Sequence, residues 1–291
     1  MTTTAVTTTA VTTTAETDLR VAPYRIAAET YVIPQLLTAP PIGMLYVNSL
    51  VIRGREPVIV DTGTPSNRHQ WLQDVWNLVD PTDVRWVFLT HDDPDHAGNL
   101  RQVMDACSNA TLVSTWFSMA RYGMDSEDLW MPFDRARWVR DGESFSAGDR
   151  TLVALRPPFF DNPTTRGLYD PSTGVYWSVD TFGANIAHPA QDAAELARDD
   201  WRDGVLLVNR LNHPWHLWLD TAKFHTHVDT LAELDIQVLP NCHGPTIYGP
   251  MVQEAFELIR RIPELPRWEE PGQLDLEAML AAAGATGTSR G

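Results

Sequence analysis

Cysteine is scarce in this chain, with only Cys107 and Cys242 among 291 residues. Two thiols cannot build a disulfide framework, so stability has to come from a packed core. Positive charge is also in short supply: 22 Lys and Arg stand against 38 Asp and Glu, a formal net charge of −16. No basic cluster is present, which argues against nucleic acid or an anionic membrane surface as a partner. No apolar run reaches the length of a membrane span. The N-terminus has neither the basic start nor the continuous apolar segment of a secretory signal, so the cytoplasm is the expected compartment. A Gly-rich phosphate loop, a Gly-x-Ser-x-Gly elbow and a Cys-x-x-Cys pair are missing too. Their absence leaves dinucleotide or flavin binding and a serine nucleophile without support.

What is present is apolar residues at 43%, including 11 tryptophans, enough for a sizeable core and an apolar pocket. One large domain over 19–265 is expected. Ahead of it, residues 1–18 repeat Val-Thr-Thr-Thr-Ala and read as a disordered Thr/Ala-rich tail, and residues 266–291 read as a partly disordered C-terminal extension. Periodicity predicts strands at 31–33, 44–52, 57–61, 84–90, 111–113, 151–156, 174–179 and 236–239. It predicts helices over 71–79, about 96–107, most of 191–234 with a break at Pro214, and 252–262. The stretch from Trp116 to Trp138 fits neither period, and its aromatics suit core or lid packing better than a cofactor box. Alternating strands and helices imply a layered α/β architecture.

The segment Thr90-His91-Asp92-Asp93-Pro94-Asp95-His96-Ala97-Gly98 follows the apolar run Val87-Phe88-Leu89. Asp-Asp-Pro-Asp alone is ordinary turn chemistry at a strand-to-helix junction. A histidine at each end is not, and His91, Asp93, Asp95 and His96 together offer ligands to two adjacent cations. Two later strand ends extend the set, Asp180 after Val179 and His243 in Asn241-Cys242-His243-Gly244-Pro245. A carboxylate such as Asp180 can bridge two ions, and six donors suffice for a dinuclear centre with metals ~3.5–4 Å apart. Cys242 abuts His243; a buried packing thiol is the plainer reading of it. His188, His213, His216, His225 and His227 are weaker candidates, and Trp215, Trp218 and Phe224 beside them fit core packing better than a roof over the metals.

These strings resemble the metallo-β-lactamase superfamily, an αββα sandwich with metals at one edge of the sheets. The likeness runs from about residue 25 to 262 and is strongest to the oxygen-binding di-iron domain of flavodiiron proteins. The hydrolase loop of the superfamily has a histidine two residues after the first, where the di-iron branch has a carboxylate; here Asp93 stands in that place. Asp180-Thr181-Phe182-Gly183 is similar to the branch's Asp-Ala-Phe-Gly, and His243-Gly244-Pro245 to its final His-Gly element. Asp61-Thr62-Gly63 fits the early acidic loop, which implies that Asp61 orients a ligand histidine. One position departs: Pro158-Phe159-Phe160-Asp161-Asn162-Pro163 replaces a stretch that carries a histidine, which puts Asp161 in the place of a ligand.

The resemblance therefore implies a metal set of His91, Asp93, Asp95, His96, Asp161, Asp180 and His243, with Asp93, Asp161 and Asp180 also taking part in the chemistry. Three imidazoles and four carboxylates make an oxygen-rich shell suited to two iron ions, with manganese or zinc as alternatives. The family carries a flavodoxin domain after the metal domain, and the chain ends where that domain would begin, so an external electron donor is expected. The leading expectation is an O2-using monooxygenase acting on a small apolar substrate, the substrate class being suggested by the aromatic-rich segments. A metal-dependent hydrolase of an ester, thioester or phosphodiester is the alternative, and an O2 or NO reductase or a sensor the second alternative. A homo-oligomer is possible.

Overall fold

The computed structural model describes residues 20–40, 42–125 and 128–287. A first sheet of seven strands runs in chain order, from β1 (Tyr24–Ala27), β2 (Thr30–Ala39), β3 (Gly43–Ile52) and β4 (Val58–Val60) to β5 (Trp86–Phe88), β6 (Thr111–Ser114) and β7 (Ala136–Trp138). β1 to β4 pair antiparallel and β4 to β7 parallel. The second sheet is built from β8 (Ser144–Ser146), β9 (Thr151–Leu155), β10 (Gly167–Asp170), β11 (Val175–Trp177), β12 (Val238–Leu239) and β13 (Ile247–Tyr248), with β11 and β12 its one parallel pair.

Alternation along each strand sorts side chains between layers. Val58 and Val60 of β4 point into the space between the sheets, where they meet Leu152, Leu168, Val175 and Trp177. Ile59 between them points outward onto α1 (Arg68–Trp76), and α3 (Leu100–Ala106) packs on the same face beyond the short α2 (Pro94–Ala97). On the far side, Tyr176 and Leu239 face α5 (Arg198–Asn212), α6 (Thr221–Ala232) and α7 (Pro250–Arg261). The result is the expected αββα sandwich.

Several elements differ in extent from their sequence signal. β2 runs on to Ala39 because ten residues pair with β3, from Thr30 with Ile52 to Ala39 with Gly43. Pro34 is tolerated because β1 pairs only as far as Val32, so the missing N–H falls on a free edge. The unassigned aromatic stretch forms α4 (Trp116–Asp125) and then β7. Residues 1–18 lie outside the described residues. The C-terminal extension contains a helix, α8 (Gln273–Gly287), where fraying was expected; its Leu, Glu, Met and Ala content is strongly helix-forming. No helix among the described residues is long and apolar enough to cross a membrane.

The weaker histidine candidates take structural places. His188 is exposed, His225 bonds the Arg260 carbonyl oxygen, and His227 the Pro157 carbonyl oxygen. His213 is fully buried, donates from Nδ1 to the Asn209 carbonyl oxygen at 2.8 Å, and stacks on Phe159. Burial pushes its pKa down to about 4 from 6.5. The unfolded chain therefore binds the proton first, and this side chain's contribution to stability is lost as pH falls from 6.5 towards 4. His213→Gln should remove that contribution: relative to wild type, the variant should gain about 2 kcal/mol between pH 7 and pH 5. Urea denaturation of both proteins at the two pH values measures it, and parallel losses would contradict it.

Candidate metal centre

The carboxyl ends of the parallel strands in the two sheets meet at one edge of the sandwich, the place where open α/β sheets expose loops to ligands. β4 leads directly to Asp61, β5 runs into the His91 loop, β11 leads to Asp180 and β12 to His243. The loop between β9 and β10 adds Asp161. All seven residues expected as metal ligands converge at this edge.

They form two linked groups. In the first, His91 Nε2 lies 3.4 Å from Asp93 Oδ2, 4.0 Å from Asp161 Oδ1 and 3.7 Å from Asp180 Oδ2. In the second, His96 Nε2 and His243 Nε2 each lie 3.0 Å from Asp180 Oδ1 and 3.5 Å from Asp95 Oδ2. Asp180 thus turns one oxygen to each group. Its Oδ2 is buried and has no hydrogen-bond partner. Three imidazole nitrogens and four carboxylates facing one another at these distances could hold two cations, and they fit iron by their chemistry as well as by their number.

Buried partners fix which nitrogen faces inward. Asp61, fully buried, accepts from the Thr90 N–H and hydroxyl, from Trp177 Nε1 at 3.1 Å and from His96 Nδ1 at 3.0 Å. His243 Nδ1 donates to the Tyr46 carbonyl oxygen at 3.0 Å. Both rings therefore present a lone pair on Nε2, the arrangement a metal requires. On the other side, Asn162 Nδ2 donates to Asp93 Oδ1 at 2.9 Å and to Asp92 Oδ1 at 3.2 Å, and Arg121 of α4 pairs with the Asp92 carboxylate. The supporting roles of Asn162, Arg121, Thr90 and Trp177 escaped sequence reading: Thr90 and Asn162 lie inside the ligand strings and Arg121 and Trp177 outside them, but only the burial of Asp92 and Asp61 would have called for partners.

Two glycines are set by close approach. A Cβ on Gly98 would lie 2.5 Å from Pro65 Cδ and 2.6 Å from the Gly63 and Pro94 carbonyl oxygens. One on Gly183 would lie 2.8 Å from His243 Cβ. The loops carrying the donors are locked against each other at these points.

The electrostatics show what the cluster demands. Burial is the largest influence on His96 and His243 and opposes their charge, yet the Cys242 sulfur and the carboxylates around them outweigh it and raise both well above the usual range. Asp180 is held well below the usual carboxylate range: burial works against this, but His96, His91 and His243 prevail. For Asp161, burial and the Asp180 charge push the carboxyl up to about 6. The carboxylates call for compensating positive charge, which protons on His96 and His243 supply here and which bound cations would supply in their place.

A family model described as "ODP family beta lactamase" matches residues 45–244. Among curated relatives, a putative diflavin flavoprotein A 2 of Nostoc is 28% identical over 203 residues, 69% of this chain and 33% of that protein. A rubredoxin-oxygen oxidoreductase of Megalodesulfovibrio gigas is 27% identical over 162 residues, 52% of this chain and 36% of that protein. A nitric oxide reductase of Moorella thermoacetica is 24% identical over 181 residues, 62% of this chain and 41% of that protein. The chain spans well under half the length of these relatives. Among solved structures, the flavodiiron protein of Giardia intestinalis superimposes with a TM-score of 0.73 at 18% identity, covering 84% of this chain and 60% of that one. Rubredoxin oxygen:oxidoreductase of Desulfovibrio gigas gives 0.72 at 18% identity, covering 83% and 61%. The sandwich is the fold of these flavodiiron cores.

Asp61→Asn tests the inner support. The amide places an NH2 group against donors from His96 or Trp177 and leaves a buried donor unmet. Stability should drop by about 1–3 kcal/mol, and affinity for added divalent metal, read by chelator competition, by ~10–100-fold. Unchanged affinity would mean that Asp61 does not hold His96.

Proposed function

The chain belongs to the ODP family beta lactamase family, and on that premise we propose that it is a non-haem di-iron oxidoreductase that reduces O2 or NO with electrons from a separate donor. The observation that carries this reading is the pair of donor groups, His91 with Asp93 and Asp161, and Asp95 with His96 and His243, facing the two oxygens of Asp180. The carboxylate at Asp93, where a hydrolase has histidine, gives the first group an oxygen-rich set that favours iron or manganese over zinc.

When bound, ferrous ions supply the electrons that O2 or NO takes up, and an external donor restores them. The protein's own residues hold the ions and keep their ligands in place. Asp180 joins the two groups. Asp61 and the Tyr46 carbonyl oxygen keep His96 and His243 in the ligating tautomer. Asn162 keeps one Asp93 oxygen occupied, so that Oδ2 is the one turned towards His91. Asp161 completes the first group and is about one-third exposed, marking the side open to solvent and to a small gas molecule.

Reduction of O2 or NO is favoured over monooxygenation of an apolar substrate. The names of two relatives, a rubredoxin-oxygen oxidoreductase and a nitric oxide reductase, point to the former. The aromatics that suggested an apolar substrate are spent elsewhere: Trp215 and Phe224 pack on Phe159, and Trp116, Phe117 and Phe133 are exposed.

The full chain, produced with iron in the medium, should carry about two iron ions and, once reduced, should consume O2 or NO without any organic substrate. Asp161→Ala should lower the iron content to about one; Asp180→Ala should abolish both binding and turnover. Zinc in place of iron, together with ester or phosphodiester hydrolysis, would overturn the reading in favour of a hydrolase.

A further inference from the structure

The second donor group contains one atom that the family pattern of carboxylates and histidines does not provide. Cys242 Sγ lies with a carboxylate oxygen of Asp95 and ring nitrogens of His96 and His243, all within 4.8 Å of one another. We propose that Cys242 is a ligand to the ion held by Asp95, His96 and His243, which makes that ion sulfur-ligated while its neighbour is bound by nitrogen and oxygen alone. The proposal rests on the two-ion reading of the site.

The thiol is not a loose side chain that happens to lie near. Cys242 is fully buried and unpaired. Its N–H donates to the Val179 carbonyl oxygen at 2.6 Å, and its own carbonyl oxygen accepts from the Asn48 N–H at 2.9 Å. Those bonds tie its backbone to the residue before Asp180 on one side and to β3 of the other sheet on the opposite side, so the main chain that carries Sγ is held beside the donor group. Independently of the thiol, the two groups ask for cations: Asp180 is 1% exposed, its Oδ1 faces His96 Nε2 and His243 Nε2 at 3.0 Å in the group that holds Cys242, and its Oδ2, turned to the neighbouring group, has no hydrogen-bond partner. The other cysteine, Cys107, lies in the core between α3 and the first sheet, in a separate apolar cluster.

Ligation replaces the S–H bond with a sulfur–metal bond, and the proton leaves to solvent as the ion enters. The two positions then differ in kind. His91, Asp93 and Asp161 offer one nitrogen and two carboxylates, a hard set. Asp95, His96, His243 and Cys242 offer a carboxylate, two nitrogens and a soft sulfur, a set that also accepts cobalt or zinc readily.

Cobalt(II) alone is the probe, added to metal-stripped full chain. Two equivalents should bind with visible ligand-field bands, and one of them should bring an intense near-ultraviolet sulfur-to-cobalt charge-transfer band. The band should be absent in Cys242→Ser and retained in Cys107→Ser. In Cys242→Ser one equivalent should weaken at least tenfold against a chelator, with the other unchanged. X-ray absorption of the wild type should show one sulfur neighbour at ~2.3 Å, the distance known for zinc–thiolate bonds, on half of the metal. Two bound cobalt ions with ligand-field bands but no sulfur band in the wild-type protein would overturn the proposal, whatever the variants do. Failure to bind cobalt at all would instead remove the two-ion reading and the ligand assignment with it.

Discussion

Asp180 is the constraint around which the rest is arranged. A buried carboxylate without compensating charge costs several kcal/mol, and this one sits at the end of β11 with imidazoles from both sheets at 3.0–3.7 Å. The sandwich brings those groups together only because β4 and β5 in one sheet, and β11 and β12 in the other, run parallel and finish at the same edge. The depressed Asp180 carboxyl follows from the imidazoles closed around it, and the inward-facing nitrogens of His96 and His243 follow from the Asp61 carboxylate and the Tyr46 carbonyl oxygen behind them.

The backbone at this edge is bent hard. Asp61 has φ 58°, Val179 φ 61° and Phe182 φ 69°, the left-handed region that a β-branched residue such as Val179 rarely adopts. Each such residue costs about 1–3 kcal/mol. The cost is borne because these positions are over-determined: Asp61 takes donors from Thr90, His96 and Trp177, the Val179 carbonyl oxygen accepts from Cys242, and the Phe182 N–H donates to Asn209. The strands thus end abruptly, with carboxylates aimed inward instead of continuing along the sheet.

Much of this was legible in the chain. The four-layer order follows from strands whose neighbours point to opposite sides, as Val58 and Ile59 do, and from amphipathic segments between them. The ligand loop was legible because six consecutive residues carry four donors beside a glycine. Other parts were hidden by their nature. α4 emerges from a stretch in which large aromatics lie exposed, so hydrophobicity there does not report burial. β2 owes its length to a partner strand rather than to its own residues. Asn162 and Arg121 act on Asp93 and Asp92 from far along the chain, and no local pattern connects them.

The two departures from the family's ligand pattern fall in different donor groups and differ in kind, one a carboxylate oxygen and the other a sulfur. In the first, Asp161 stands where the family pattern has a neutral imidazole, and its carboxylate would add negative charge beside any ion held there. At the second, His96 and His243 remain and a thiol lies among them. Two ions in equal surroundings would share an electron evenly, whereas surroundings this unequal would not. Asp180 belongs equally to both positions, so the asymmetry has to come from Asp161 and Cys242, at opposite ends of the donor set. Outer residues such as Asp61 and Asn162 each contact a single group, His96 in one case and Asp93 in the other, so each would act on one position at a time.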